Sequence, residues 1–170
     1  MFGQNIGMAA ASSRSSARPS PRSAGLLLFR RRPELEVLIV HPGGPFWARK
    51  DEGAWSVPKG LIDDGEDEQT AARREFTEEI GTPPPDGPLL DLGEVRLASR
   101  KVVVAFAIEG DLDAETIVSN TFDMVWPPKS GRMQSFPEVD RAGWFGVDEA
   151  RVKLNAAQAE FVERLRSVVA

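Results

Sequence analysis

The sequence predicts a single α/β domain with a mixed sheet, and three observations lead to it. Short apolar, partly β-branched runs at 24–29, 37–40 and 101–108 have the length of strands and are bounded by turn-forming residues. Two other stretches place apolar residues at helical spacing: Ala72, Phe76 and Ile80 in the first, Leu154, Phe161, Leu165 and Val168 in the second. A chain of 170 residues holds one domain with a substantial core and is too short for two of ordinary size. Strands and helices therefore interleave around one core.

Residues 1–23 are rich in Ser, Ala and Arg, carry no acidic residue and are interrupted by Pro19 and Pro21, the composition of a disordered tail. Arg14, Arg18 and Arg22 also suit a targeting peptide, and Met8 an internal start. The folded domain is expected over 24–170. Its first two runs, 24–29 and 37–40, are separated by the charged, Pro-containing RRRPELE and read as two buried strands joined by a solvated turn. The stretch 41–54, HPGGPFWARKDEGA, is a loop in which Phe46 and Trp47 either stack on a nucleobase or fold back onto the core. His41, the only histidine, sits at a strand end and is read as structural.

Residues 55–59, WSVPK, predict a short strand running into the glycine-containing loop that starts at Gly60. Lys59 is there either an ordinary surface lysine or a point charge for a phosphate. After a Pro-rich connection come strands at 93–98 and 101–108; the second, VVVAFAI, reads as central, with Arg100 and Lys101 in the turn before it. A weaker alternation predicts a strand over 120–126. The basic loop PPKSGRMQSFPEVD then carries Lys129, Arg132 and Glu138, and 142–146 forms a short aromatic strand. One amphipathic helix closes the chain. No internal repeat or coiled coil is present.

The 21 basic and 26 acidic residues give a formal charge of -5, which argues against nonspecific nucleic-acid or membrane binding by bulk charge and leaves room for a local basic pocket. With no cysteine, a disulfide framework, a thiolate nucleophile and a Cys-based zinc site are excluded. No apolar run approaches the roughly eighteen residues of a membrane span. A cytoplasmic protein, monomer or homodimer, with a small-molecule partner and neither nucleic acid nor membrane, is the expectation.

The chemistry concentrates in 60–82, GLIDDGEDEQTAARREFTEEIGT. At about 100° per residue, Glu75, Glu78 and Glu79 share one arc of a helix and Ala72, Phe76 and Ile80 the adjoining one. Like charges at this spacing destabilise an isolated helix by a few tenths of a kcal/mol per pair, so a cation is expected to offset them. Gly60 and Gly65 permit a tight loop with positive φ, Gly81 a left-handed helix end, and Pro83 to Pro85 forbid continuation. A solvated acidic face is the bland alternative.

This stretch resembles the signature of the Nudix hydrolases at Gly60, Glu66, Arg74, Glu75, Glu78, Glu79 and Gly81, with Phe76 at a bulky position. Thr82 departs from it, standing where an aliphatic residue is usual. The resemblance implies a small α/β/α sandwich and metal-dependent hydrolysis of a diphosphate linkage in a nucleoside diphosphate joined to another group. It also implies Mg²⁺ or Mn²⁺ held by Glu75, Glu79, the Gly60 carbonyl and Glu78, with Glu78 alternatively orienting the water. Arg74 then holds the glutamates, Glu66 braces the loop, and Glu138 is a second candidate base. Lys59, Trp47, Arg100, Lys129 and Arg132 are the substrate-binding candidates. WSVPKG before the signature and the Glu138–Trp144 spacing look similar to diadenosine tetraphosphate hydrolases and predicted nucleoside triphosphate pyrophosphohydrolases, which favours a dinucleoside polyphosphate or a nucleoside triphosphate. Relatives acting on diphosphoinositol phosphates share the Pro-Lys-Gly, and a sensor module without turnover is the alternative from another class.

Overall fold

The computed structural model describes residues 21–170. Six strands form one sheet: β1 (Arg22–Arg31), β2 (Leu35–Pro42), β3 (Lys59–Leu61), β4 (Leu90–Arg96), β5 (Val102–Glu109) and a last strand, here β8 (Val139–Gly146). Their order is β4-β5-β1-β2-β8, with β3 attached to β1. β1 and β5 run parallel and every other pair antiparallel, so the sheet is mixed. Between β5 and β8, the strands β6 (Thr121–Val125) and β7 (Met133–Pro137) make a separate two-stranded hairpin.

Both faces of the sheet are covered, which is why its inner strands read as unbroken apolar runs rather than alternating ones. Leu27 and Phe29 of β1 and Val103, Ala105 and Ala107 of β5 face one core. The helices α2 (Val147–Lys153) and α3 (Ala159–Val169) close that side with Ala150, Phe161, Val162 and Leu165. Ala24, Leu26 and Leu28 with Val104, Phe106 and Ile108 face the other, under Ala71, Ala72, Phe76 and Ile80 of helix α1 (Glu68–Ile80). The result is the α/β/α sandwich.

Several elements differ from the sequence reading for identifiable reasons. β1 starts at Arg22, two residues before the expected domain edge, because Arg22 and Ser23 pair with Val102 and Val103 of β5; residues 1–20, and with them most of the expected tail, lie outside the described residues. The closing helix is two helices. Leu154, counted in the helical pattern, instead makes an isolated backbone bridge to Trp55, and its side chain is buried in the core under α2 and α3. Of the predicted strand 55–59, Trp55 and Ser56 make isolated bridges and Lys59 begins β3; between them Val57 N–H is satisfied by the side-chain oxygen of buried Gln158 at 2.8 Å rather than by a ladder. The basic loop after 126 contains β7. Its residues MQSFP lack the clean alternation that marks a strand.

One feature of the sheet positions the site. Along a single edge of β1, β2 pairs with the end (Phe29 opposite Val37) and β3 with the beginning (Gly25 opposite Lys59). The 43–58 loop leaves through that split, and the chain re-enters the sheet directly beneath α1. Among the described residues no helix is long and apolar enough to cross a membrane.

Candidate active site

Helix α1 is fixed at both ends by its own sequence. The Asp67 carboxylate caps its start by accepting from Thr70 N–H at 3.1 Å, and Gly65 in the preceding turn has φ 74°. Gly81 ends it at φ 91°, donating to Thr77 C=O at 2.8 Å. With the apolar arc of α1 in the core, Glu75, Glu78 and Glu79 turn toward β3.

Gly60 lies in β3 opposite Ala24, and it is not among the glycines of positive φ, contrary to the turn role expected for it. Another constraint requires glycine: a Cβ built there would stand 2.0 Å from the carboxyl carbon of Glu75. The Glu75 carboxylate thus lies flush against the Gly60 backbone, beside the Gly60 carbonyl named as a metal ligand. Gly60→Ala is expected to push Glu75 aside and lower kcat about 10²-fold, the scale of a 1 Å misplacement, while the protein still melts cooperatively. Steady-state kinetics beside a thermal melt check this; unchanged kcat in the variant overturns the packing argument.

Arg74 links the loop to the helix. Its Nε and Nη2 donate to the two oxygens of Glu66 at 2.8 Å each, and Nη1 reaches Glu75 at 2.8 Å and Glu78 at 3.3 Å. Nη2 also donates to Leu61 C=O at 3.0 Å. Glu66 in turn accepts from Asp63 N–H at 3.1 Å, and these bonds, the Arg74 guanidinium first, hold its carboxyl down to about 2. The neighbouring acids are displaced the other way. Burial pushes the Glu75 carboxyl up against the pull of Arg74, and burial pushes Glu79 up to about 8 despite nearby Lys59. The charge of Glu138 adds to the rise at both. Lys59 donates its backbone N–H to Glu79 at 3.2 Å, and burial lowers its own ammonium pKa.

The residues that bring Glu138 here were not legible beforehand. Asn120 N–H donates to Glu78 C=O at 2.9 Å, Glu138 N–H to Asn120 C=O at 2.8 Å, and Gly43 N–H to Glu138 C=O at 2.9 Å. Ser119 Oγ accepts from Val139 N–H at 3.1 Å beside this chain. A run of backbone bonds therefore ties the corner bearing Glu138 to the last turn of α1. Backbone groups exist at every residue, so no sequence signal marks it.

The donor set of Glu75, Glu78, Glu79, Glu138 and a backbone carbonyl is all oxygen, the chemistry hard divalent cations take, and its mutual repulsion is what such a cation offsets. Among the described residues no three acids converge into a ready coordination cage. The carboxylates are engaged instead with protein donors: Glu75 and Glu78 accept from Arg74, and Glu79 accepts from the Lys59 amide.

The substrate-binding candidates divide. Lys59 is at the carboxylates, and Lys101 is close enough for its charge to act on it. Arg100, in the turn between β4 and β5, has φ 71°. Lys129, at φ 62°, and Arg132 occupy the turn of the β6–β7 hairpin, at the other end of β7 from Glu138. Phe46 and Trp47 do not fold into the core: they are 61% and 40% exposed, Phe46 meeting Trp126 edge-on at 5.6 Å and Trp47 lying under Lys50 at 4.8 Å. His41 is structural, fully buried between Asp140 (2.8 Å) and Lys50 C=O (2.6 Å).

Comparison with known proteins gives a consistent result. The profile of the NUDIX domain matches residues 19–165. An RNA pyrophosphohydrolase of Caulobacter vibrioides is 42% identical over 57 residues, 31% of this chain and 33% of that relative. The chain thus matches only about a third of the length of such curated relatives. Among solved structures, a C. elegans Ap4A hydrolase complex covers 86% of this chain and 97% of its own with TM-score 0.61 at 19% identity. The NUDIX domain of Shewanella oneidensis NrtR, complexed with ADP ribose, covers 92% and 93% with TM-score 0.62 at 17% identity. At these identities the structural likeness is one of fold.

Proposed function

Since the chain belongs to the NUDIX family, with the domain profile spanning residues 19–165, we propose that it hydrolyses a phosphoanhydride bond in the phosphate chain of a nucleotide, with Mg²⁺ or Mn²⁺ as cofactor. The observation that carries this reading is the seating of the Glu75 carboxylate against Gly60, with the carboxyls of Glu75 and Glu79 pushed up first by burial and then by neighbouring acids, Glu138 among them. Glu75, Glu79 and the Gly60 carbonyl would hold the cation, with Glu78 a further ligand or the orienter of the water. When bound, the cation supplies charge neutralisation at the phosphates and an acidified water.

The chain's own residues do the rest. Arg74 keeps Glu75 and Glu78 oriented and ties them to the loop through Glu66. Glu138, exposed and held by its backbone at both ends, would accept a proton from the attacking water, Glu78 being the alternative base. Lys59 and the turn at Arg100 and Lys101 offer cations to the phosphates. All three signature glutamates are present, which favours an enzyme over a sensor without turnover. We assign the activity to the cytoplasm, where nucleotides are available.

A dinucleoside polyphosphate or nucleoside triphosphate is the leading substrate class. A second reading, in which the phosphate chain is the 5′ end of an RNA, is supported by the similarity of the matched stretch to an RNA pyrophosphohydrolase. The test is a magnesium-dependent comparison of diadenosine tetraphosphate, a nucleoside triphosphate, ADP-ribose and an inositol pyrophosphate. The first two should exceed ADP-ribose by at least about tenfold in kcat/KM. A clear preference for ADP-ribose overturns the polyphosphate assignment.

A further inference from the structure

Residues 55–61 carry the Lys59 amide and the Gly60 carbonyl to the carboxylates, and the two edges of this segment are held by different partners. One edge faces the sheet. Ser56 exchanges both backbone bonds with Val40 of β2, Pro58 C=O accepts from Leu26 N–H at 3.0 Å, and Ile62 N–H donates to Arg22 C=O at 3.1 Å. Extended backbone turns the N–H and C=O groups of the odd-numbered residues to the opposite edge. There Trp55 N–H donates to Lys153 C=O, and Trp55 C=O accepts from Asn155 N–H. Val57 N–H then donates to Gln158 Oε1 at 2.8 Å, Lys59 N–H to Glu79 at 3.2 Å, and Leu61 C=O accepts from Arg74 at 3.0 Å. Gln158 thus continues the row of partners formed by Arg74 and Glu79, and it comes from the helical layer on the other face of the sheet.

The break between α2 and α3 explains why a side chain is used. The bridge between Trp55 and Leu154 is parallel, and its next rung would need a backbone carbonyl beyond Asn155. The chain turns away at that point, Gln158 N–H and Ala159 N–H both closing onto Asn155 C=O. The side-chain oxygen of Gln158 takes the place of the missing carbonyl, and Ser56 Oγ donates to the same oxygen at 3.2 Å. Gln158 is 2% exposed, yet its side chain makes no capping bond to α3, so the acceptor serves the 55–61 segment and not the helix it precedes. Val57 is fully buried, where an unpaired N–H is costly. Pro58 has no N–H to add, and β3 is three residues long, so the ladder to β1 holds the approach to Gly60 lightly.

We propose that Gln158 is a positioning residue of the site: its bond to Val57 N–H fixes the segment that presents the Lys59 amide to Glu79 and the Gly60 carbonyl beside Glu75. It acts through the backbone two and three residues further on, not on the reacting atoms. Without it the Val57 N–H must find another partner, the segment loosens, and both groups move relative to the glutamates of α1. The consequence for turnover rests on the phosphoanhydride reading above; the consequence for the backbone does not.

The experiment compares the full chain with Gln158→Met, which keeps length and bulk without the acceptor, and with Gln158→Glu, which keeps an acceptor oxygen. One readout is amide hydrogen exchange of the metal-free proteins, resolved by residue. The other is kcat, KM and the half-saturating Mg²⁺ concentration with a nucleoside triphosphate and with diadenosine tetraphosphate. Gln158→Met should speed exchange at Val57 and Lys59 while Phe161, Val162 and Leu165 of α3 keep parental rates. It should also lower kcat and raise the half-saturating Mg²⁺, each by about tenfold, the lower end of the cost of losing an outer support of a metal site, with KM little changed. Gln158→Glu should recover most of both effects. Exchange accelerated equally across α3 marks a general loss of stability and overturns the positioning role. A Val57 amide that exchanges in the parent as fast as an exposed loop overturns it as well, and that measurement needs no variant to fold. Turnover by the parent, with parental kcat, Mg²⁺ requirement and Lys59 exchange in Gln158→Met, overturns the positioning role and spares the hydrolase reading. Selective exchange at Val57 and Lys59 in Gln158→Met, with no Mg²⁺-dependent turnover by the parent of these substrates or of ADP-ribose, supports the positioning role and overturns the hydrolase reading.

Discussion

Replacing Glu79 by Gln is expected to lower kcat by about 10²–10³-fold, because a cation ligand contributes several kcal/mol to the transition state and 1.4 kcal/mol is a factor of ten. The fold should survive and, without metal at pH 8, become more stable. The reason is linkage. Burial holds the folded-state carboxyl at about 8 against an ordinary 4.5, so above pH 4.5 the unfolded chain loses this proton first. The stability of the metal-free parent therefore falls as pH rises from about 4.5 to about 8, and the upward shift of Glu75 acts in the same direction. Glu79→Gln removes the larger part of that slope. Thermal melts at pH 5 and pH 8, with and without Mg²⁺, check each element: the parent should gain stability from Mg²⁺ at pH 8, and the variant should gain little. A variant with parental kcat, or with a parental Mg²⁺ response, removes Glu79 from the site.

The contrast between Glu79 and Lys129 shows what was legible in the sequence. Glu79, Glu75 and Gly60 are separated by one loop and one helix whose ends are fixed locally by Asp67 and Gly81, so spacing converts directly into geometry. Even there the role of Gly60 was misread: its cause is the Glu75 carboxylate 15 positions away, not a turn. Lys129 and Arg132 depend instead on where a hairpin points, and that is decided by the contacts of Phe122 and Trp126 with the 43–47 loop. β7 was hidden because MQSFP is mostly exposed and has no buried face to impose alternation. The break between α2 and α3 was hidden for the opposite reason: Leu154 is apolar at helical spacing and buried in the core, yet its backbone bridges Trp55 instead of continuing a helix.

Arg74→Ala should be the most destabilising change at the site. Among the described residues its guanidinium is the partner of the Glu66 carboxylate on both oxygens and the only cation bonded to Glu75, a side chain that is 8% exposed. Removing it leaves the buried Glu75 carboxyl beside Glu78 and Glu138 without the guanidinium that opposes its upward shift, and leaves Leu61 C=O without this donor. Hydrogen bonds to charged groups contribute about 1.5–3 kcal/mol each, but Arg74 is partly exposed, so a loss of about 3 kcal/mol is the appropriate scale. For a chain of this size that is about 6–12 °C in Tm. The loss has a pH signature. Glu66 is held down to about 2 chiefly by Arg74, so its share of the stabilisation is complete above about 4.5 and disappears as pH falls through about 2. The gap between parent and Arg74→Ala should therefore narrow over that interval. Arg74→Lys restores a charge without the fork that grips Glu66 and reaches Glu75 together, and should recover stability more than activity. Melts of the three proteins across pH, paired with kcat, make the measurement. An Arg74→Ala protein melting within about 2 °C of the parent at neutral pH, less than 1 kcal/mol on that scale, would show that the loop and helix are joined by something other than this guanidinium.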